Sequence, residues 1–112
     1  MAKLAFTKLG LKINNITNIL KLGENEIEIK YYLPVEKKLE VMSNIINQSL
    51  DENGYYNPMR LKIYTTLEII YAYTNISFTD KMKEDPFKLY DLFISTGLYE
   101  KILENICNII NF

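Results

Sequence analysis

The feature that most limits how this chain can fold is a helix with almost no polar side. In PMRLKIYTTLEIIYAYT, residues 58–74, Met59, Ile63, Leu67, Ile70 and Tyr71 fall at helical spacing along one side. Leu61, Tyr64, Tyr73 and Ile69 carry the apolar arc further round. A helix apolar around most of its circumference needs partners on several sides and belongs at the centre of its domain. Its start is marked by Asn57-Pro58, an asparagine cap followed by a proline whose fixed φ suits the first helical position.

The partners are legible on either side. Before it, Val35, Leu39, Met42, Ile46 and Leu50 make one apolar stripe, with Glu36, Lys37, Lys38, Glu40 and Asn44 mostly off it. Pro34 reads as the first residue of that helix, and Asp51-Glu52-Asn53-Gly54 as its stop. After the central helix, Thr79 caps a brief turn through Met82, and Asp85-Pro86 repeats the cap-plus-proline start. Phe87, Tyr90 and Ile94 then share a face broadened by Leu89 and Phe93, and Thr96-Gly97 ends the helix. A last helix begins at Leu98, with Ile102, Leu103, Ile106, Ile109 and Ile110 at core spacing.

The N-terminal part has a different period. In Glu26–Tyr32, Ile27, Ile29 and Tyr31 alternate with Glu26, Glu28 and Lys30, the pattern of a half-buried strand. Ile16–Leu22 echoes it more weakly, and Gly23-Glu24-Asn25 separates the two. The expected architecture is α+β and mostly helical: a β-hairpin within 13–32, then about four helices within 34–112, in a single domain over 1–112. Two strands alone are marginal in water, so the hairpin must pack on helices or borrow a strand.

Composition narrows the function. The chain has 112 residues, 13 basic and 14 acidic, for a net charge of −1. Duplex binding draws its affinity from neutralised phosphates, and no basic excess exists to supply it. Lys3, Lys8 and Lys12 are the longest basic stretch and are widely spaced. Lysines outnumber the lone Arg60 twelve to one, and Ile, Asn and Tyr are abundant, which fits a low-GC genome. Cys107 is the single cysteine and falls in an apolar helical pattern, so it reads as a small buried hydrophobe in a reducing compartment. No run approaches the ~18 apolar residues of a membrane span, and the first residues lack a signal-peptide core. The expectation is a cytosolic protein without membrane contact.

Catalytic signatures are scarce. There is no histidine to act as a general base. Ser43, Ser49, Ser77 and Ser95 lack a nucleophile-elbow context. Asp51-Glu52-Asn53-Gly54 resembles part of a calcium loop, but the position that needs a bidentate glutamate is Arg60. The four glycines are isolated, so none builds a phosphate cradle. Glu68, inside the central helix, reads as an edge position or an ion pair with Lys62 or Arg60. No catalytic residue, metal site or cofactor is expected, and the chain reads as a non-enzyme.

Tyrosines remain. Tyrosine couples a large apolar body to a polar tip and is enriched at interfaces. Core filling accounts for Tyr64, Tyr71 and Tyr90. It does not account for the adjacent pairs, Tyr55-Tyr56 in a turn and Tyr31-Tyr32 at a strand end, because neighbours cannot both enter one core. These four are the candidate protein interface.

Three stretches, KLAFTKLGLKI, EIEIKYYLPVEKKLE and DENGYYNPMRLKIYTTLEIIYAYTNISFTDKMKEDPFKLYDLF, resemble a family of small uncharacterised proteins. That family is encoded by tailed bacteriophages and prophages of low-GC Gram-positive bacteria. In layout, a hairpin followed by helices is also similar to phage tail assembly chaperones. The resemblance implies a phage gene product in the host bacterial cytoplasm or within the virion. It would bind a virion component or itself, as a homo-oligomer, during head or tail morphogenesis. The alternative is an inhibitor of a host defence complex, similar in role to anti-CRISPR proteins.

Overall fold

The computed structural model describes residues 2–107. It is α+β and mostly helical, an antiparallel hairpin followed by helices. Strands β1 (Thr17–Leu22) and β2 (Asn25–Lys30) pair with Leu20 opposite Ile27 and Asn18 opposite Ile29. The two-residue loop places Gly23 at φ 63°, the positive φ that the first position of a type II′ hairpin turn requires. Five helices follow: α1 (Val35–Gln48), α2 (Pro58–Tyr73), α3 (Asp80–Lys83), α4 (Pro86–Ser95) and α5 (Leu98–Leu103). A short 3-10 turn, Phe6–Leu9, precedes the hairpin.

The cap signals operate as their chemistry dictates. Asn57 Oδ1 accepts from the N–H groups of Met59 and Arg60 at 3.0 and 3.1 Å. Thr79 accepts from Met82 N–H and Asp85 from Lys88 N–H, at 3.2 and 3.3 Å. Each satisfies a donor that the first helical turn leaves orphaned. Pro34 sits one position earlier than expected, as the N-cap, with helical geometry starting at Val35.

Helix α2 is central. Ile63, Thr66, Leu67, Ile69, Ile70 and Tyr73 are all buried along it. Ile69, Ile70 and Tyr73 meet Ile27 and Ile29 of β2, Val41 and Ile45 of α1, Phe93 of α4 and Ile102 of α5 in one cluster. A second cluster gathers Ile63, Leu67 and Leu89. The hairpin therefore packs on helices. It is also laced to the chain at its edges: Asn75 N–H donates to Glu28 O, and Glu28 N–H to Asn75 Oδ1, at 3.1 and 2.9 Å. Asn18 Nδ2 donates to Asn105 O at 3.0 Å, and Cys107 N–H to Tyr31 O at 2.8 Å. β2 is thus flanked on both sides, whereas the outer edge of β1 pairs with no strand among the described residues.

Five expectations need correction. The stripe expected to bury α1 faces outward: Val35, Leu39, Ile46 and Leu50 are exposed and Met42 is half-buried. The buried face is Val41, Ile45 and Ser49, the last with its hydroxyl donating to Ile45 O at 2.6 Å. The helix carries two overlapping apolar arcs, and the shorter β-branched one faces Ile27 and Ile29. On α4 the same reversal occurs, Leu89 and Phe93 being buried while Phe87 and Ile94 are exposed, and on α2 Met59 is exposed. Cys107 is exposed and not a core residue. The last helix ends at Leu103; Ile106 is buried beyond it, and Ile109 and Ile110 lie outside the described residues.

Residues 2–16 form an arm. Among them none is buried, and Leu4, Phe6, Leu11 and Ile13 are each more than 60% exposed. Hydrogen bonds of residues 2–13 stay local, such as Lys8 N–H to Ala5 O. The radius of gyration, 17.1 Å, exceeds the roughly 13 Å of a compact chain this long.

Adjacent residues test the orientation of α1. Ile45→Ala should cost about 2–5 kcal/mol through lost burial and a cavity, and Ile46→Ala about 0.5 kcal/mol or less. Urea unfolding of both variants reads the contrast; equal losses would show that the outward row is buried.

Burial makes a second test. It pushes the Tyr73 phenol up to about 12, with Tyr32 adding to the effect. The folded chain then keeps this proton where the unfolded chain loses it, so stability is full below pH 10 and declines between pH 10 and 12. Tyr73→Phe should flatten that decline in urea titrations; an unchanged slope would mean that Tyr73 is not its source.

Candidate protein-binding surface

The turn between α1 and α2 is a small closed structure. Asp51 Oδ1 accepts from the N–H groups of Asn53 and Tyr55, both at 2.9 Å, and Gly54 takes φ 79°. Asp51 N–H donates to Tyr55 O at 2.8 Å, and Leu50 forms an antiparallel bridge with Tyr56. The segment that resembled a calcium loop thus spends its carboxylate on its own backbone. Both tyrosines stand out from this turn, Tyr55 71% and Tyr56 58% exposed. Directly opposed bridge partners share a side, so Tyr56 lies beside Leu50.

The other pair is at the far end of α1. Tyr31 and Tyr32 are half-buried where β2 runs into the helix. The Lys38 ammonium stands 4.3 Å from the Tyr32 ring centre. Tyr31 meets Cys107; the hydrogen bond to that thiol, followed by its charge, raises the phenol above its usual range. The structure does not gather the four tyrosines into one cluster. It sets the pairs at opposite ends of a 14-residue helix, about 21 Å apart along its axis.

Between them runs the outward row of α1. Val35, Leu39, Ile46 and Leu50 are 62, 59, 50 and 40% exposed. Residues four and seven apart fall on one side of a helix, so Val35, Leu39 and Ile46 share a side with the half-buried Met42 between the last two, and Leu50 follows just past the helix end beside Tyr56. Exposed apolar residues scattered singly are ordinary, but a contiguous patch marks an interaction site. Sequence reasoning missed this strip because it assigned the row to the core. The available signal was an excess: α1 has more apolar positions than one buried face can use.

A polar cleft lies on the other side of α1, lined by Asn44, Gln48, Tyr64, Glu68, Tyr71 and Lys83, with a volume of ≈ 290 Å³. Glu68 is paired with neither Lys62 nor Arg60. Gln48 Nε2 donates to it at 2.9 Å, while Arg60 Nε donates to Gln48 O at 3.0 Å and its guanidinium lies over Tyr64. Lys83 stands over the Tyr71 ring at 4.7 Å. These contacts bind α1, α2 and the end of α3 together, and no nucleophile–base pair occurs among them. Among the described residues no group of three His, Cys, Asp or Glu side chains is placed to hold a metal, and no helix is long and apolar enough to cross a membrane.

Comparison with protein-family models, with curated proteins and with solved structures finds no match to this chain.

Because Tyr55 and Tyr56 stand clear of the core, Tyr55→Ala and Tyr56→Ala should each change the stability of the isolated chain by no more than about 0.5 kcal/mol. A loss above ~2 kcal/mol in thermal or urea unfolding would make them structural residues.

Proposed function

We propose that this chain is a non-enzymatic phage protein that works by binding protein during virion assembly, in several copies, in the cytoplasm of the host bacterium. The binding face is the outward row of α1, with Tyr55 and Tyr56 at one end and Tyr32 at the other. The observation that carries the reading is that row, Val35, Leu39 and Ile46 exposed on one side of α1 and Leu50 exposed just past its end. An interface core is apolar and aromatic with a polar rim, and Glu36 and Lys37 supply a charged flank here. The phage setting comes from the sequence resemblance.

The test uses the phage or prophage that carries the gene. A stop codon early in the reading frame should abolish infectious particles and leave unjoined heads or tails in electron micrographs. The wild-type chain supplied from a plasmid should restore them, and Leu39→Glu with Ile46→Glu should not. Normal particle yield without the protein would overturn the assembly role. Rescue by the double variant would overturn the choice of face.

A further inference from the structure

We propose that the outward row of α1 receives the N-terminal arm of a second copy of this chain, in a reciprocal exchange that builds a two-fold dimer. The inference rests on reading that row as a binding face and names its occupant.

Among the described residues the arm and the α1 row are both apolar and exposed, and they complement each other. The arm carries Leu4, Phe6, Leu9, Leu11 and Ile13, all exposed. From Lys8 to Ile13, Leu9, Leu11 and Ile13 alternate with Lys8, Gly10 and Lys12. Lys8 and Leu9 here belong to the 3-10 turn and Gly10 takes φ 63°, so docking extends this segment to put the apolar side chains on one face and the lysines on the other. The arm's charge is one-signed: Lys3, Lys8 and Lys12 with no acid before Glu24. The receiving segment leans the other way: residues 35–52 hold Glu36, Glu40, Asp51 and Glu52 against Lys37 and Lys38, and Glu36 and Glu52 have no ion pair among the described residues.

The dimensions agree. Residues 4–13 reach at most about 30 Å when extended and less with the 3-10 turn at Phe6–Leu9. The helical part of the row, Val35 to Ile46, is about 17 Å long, and Leu50 follows past the helix end. The arm leaves the sheet at Ile16, whose carbonyl accepts from Tyr31 N–H at 2.9 Å, close to the start of α1. Leu11, Ile13 and Tyr32 line a shallow concavity of ≈ 410 Å³ there, so arm and receiving face are continuous around Tyr32.

The area is sufficient for a stable dimer by exchange between copies. Five arm side chains at roughly 100 Å² each, from two arms and with the surfaces that receive them, remove on the order of 2,000 Å² from water, at the upper end of the standard interface size. A closed two-fold arrangement uses both arms and both rows and leaves neither exposed.

Sedimentation equilibrium of the full chain should show a dimer that weakens several-fold as NaCl rises from 0.05 to 0.5 M. Removing residues 2–13, which hold no buried residue, should give a folded monomer with an unchanged melting curve. Leu39→Glu with Ile46→Glu should do the same. A peptide of residues 2–14 should bind the arm-deleted chain and bind its Leu39→Glu, Ile46→Glu form at least tenfold more weakly. A dimer that persists without the arm overturns the exchange, while the face reading stands if the two glutamates still break that dimer. A full chain that is monomeric and excludes the peptide, with the arm-deleted chain accepting it, places the arm on its own α1 and overturns exchange between copies. A peptide that binds neither form overturns the proposal.

Discussion

The burial of Ile27 and Ile29 against α2 is the contact on which the rest of the molecule depends. Two strands do not hold together in water by their own hydrogen bonds. Here the inner face of β2 is clamped among Val41, Ile45, Ile70, Tyr73 and Ile102, and Ile29, Ile45, Ile70, Tyr73 and Ile102 are fully excluded from solvent. That contact calls for two further pieces of order. Thr74 and Asn75 must leave α2 alongside β2, and the chain after α5 must return past Tyr31 to make its backbone bond from Cys107. It also fixes the roll of α1. Once Val41 and Ile45 face the hairpin, the row 35, 39, 46, 50 has no direction left but outward.

The function proposed follows from that surplus. Unpaired buried polar groups are expensive and must be satisfied, and the buried polar side chains here, Ser49 and Thr66, bond to backbone carbonyls of their own helices. Among the described residues the core clusters include neither the outward row nor the arm. The proposed role buries nine large aliphatic and aromatic side chains that lie exposed here, four in the outward row and five in the arm. The polar cleft at Gln48 and Glu68 is the opposite case, its groups turned toward one another and holding helices together.

Much of the fold was legible because its signals are local. Asn57-Pro58, Thr79 and Asp85-Pro86 place helix starts by chemistry confined to three or four residues, and strict alternation in Glu26–Lys30 leaves one strand face to bury. The roll of each helix was not legible, because it depends on a partner the local pattern does not name. On α1 the longer apolar series lost to Val41 and Ile45, and on α4 Leu89 and Phe93 won over Phe87 and Ile94. The same ambiguity hid the binding strip. The exposure of Tyr55 and Tyr56 was legible because adjacent side chains cannot both enter one core, whereas the half-burial of Tyr31 and Tyr32 and the placement of the pairs at the two ends of α1 needed the fold. Cys107 misled because its apolar neighbours suggested a helix, and the helix ends at Leu103.

The central claim is that the outward face of α1 is covered by the arm of another copy. Paramagnetic relaxation between molecules tests it most directly. A spin label is placed by Phe6→Cys in a Cys107→Ser background, on chains without isotope, and mixed with isotope-labelled chains that carry no label. Methyl signals of Leu39, Ile46 and Leu50 should broaden, while those of Ile63 and Leu67 on the far side of α2 should not. Unbroadened α1 methyls in the mixed sample, or broadening centred on another surface, would contradict the account.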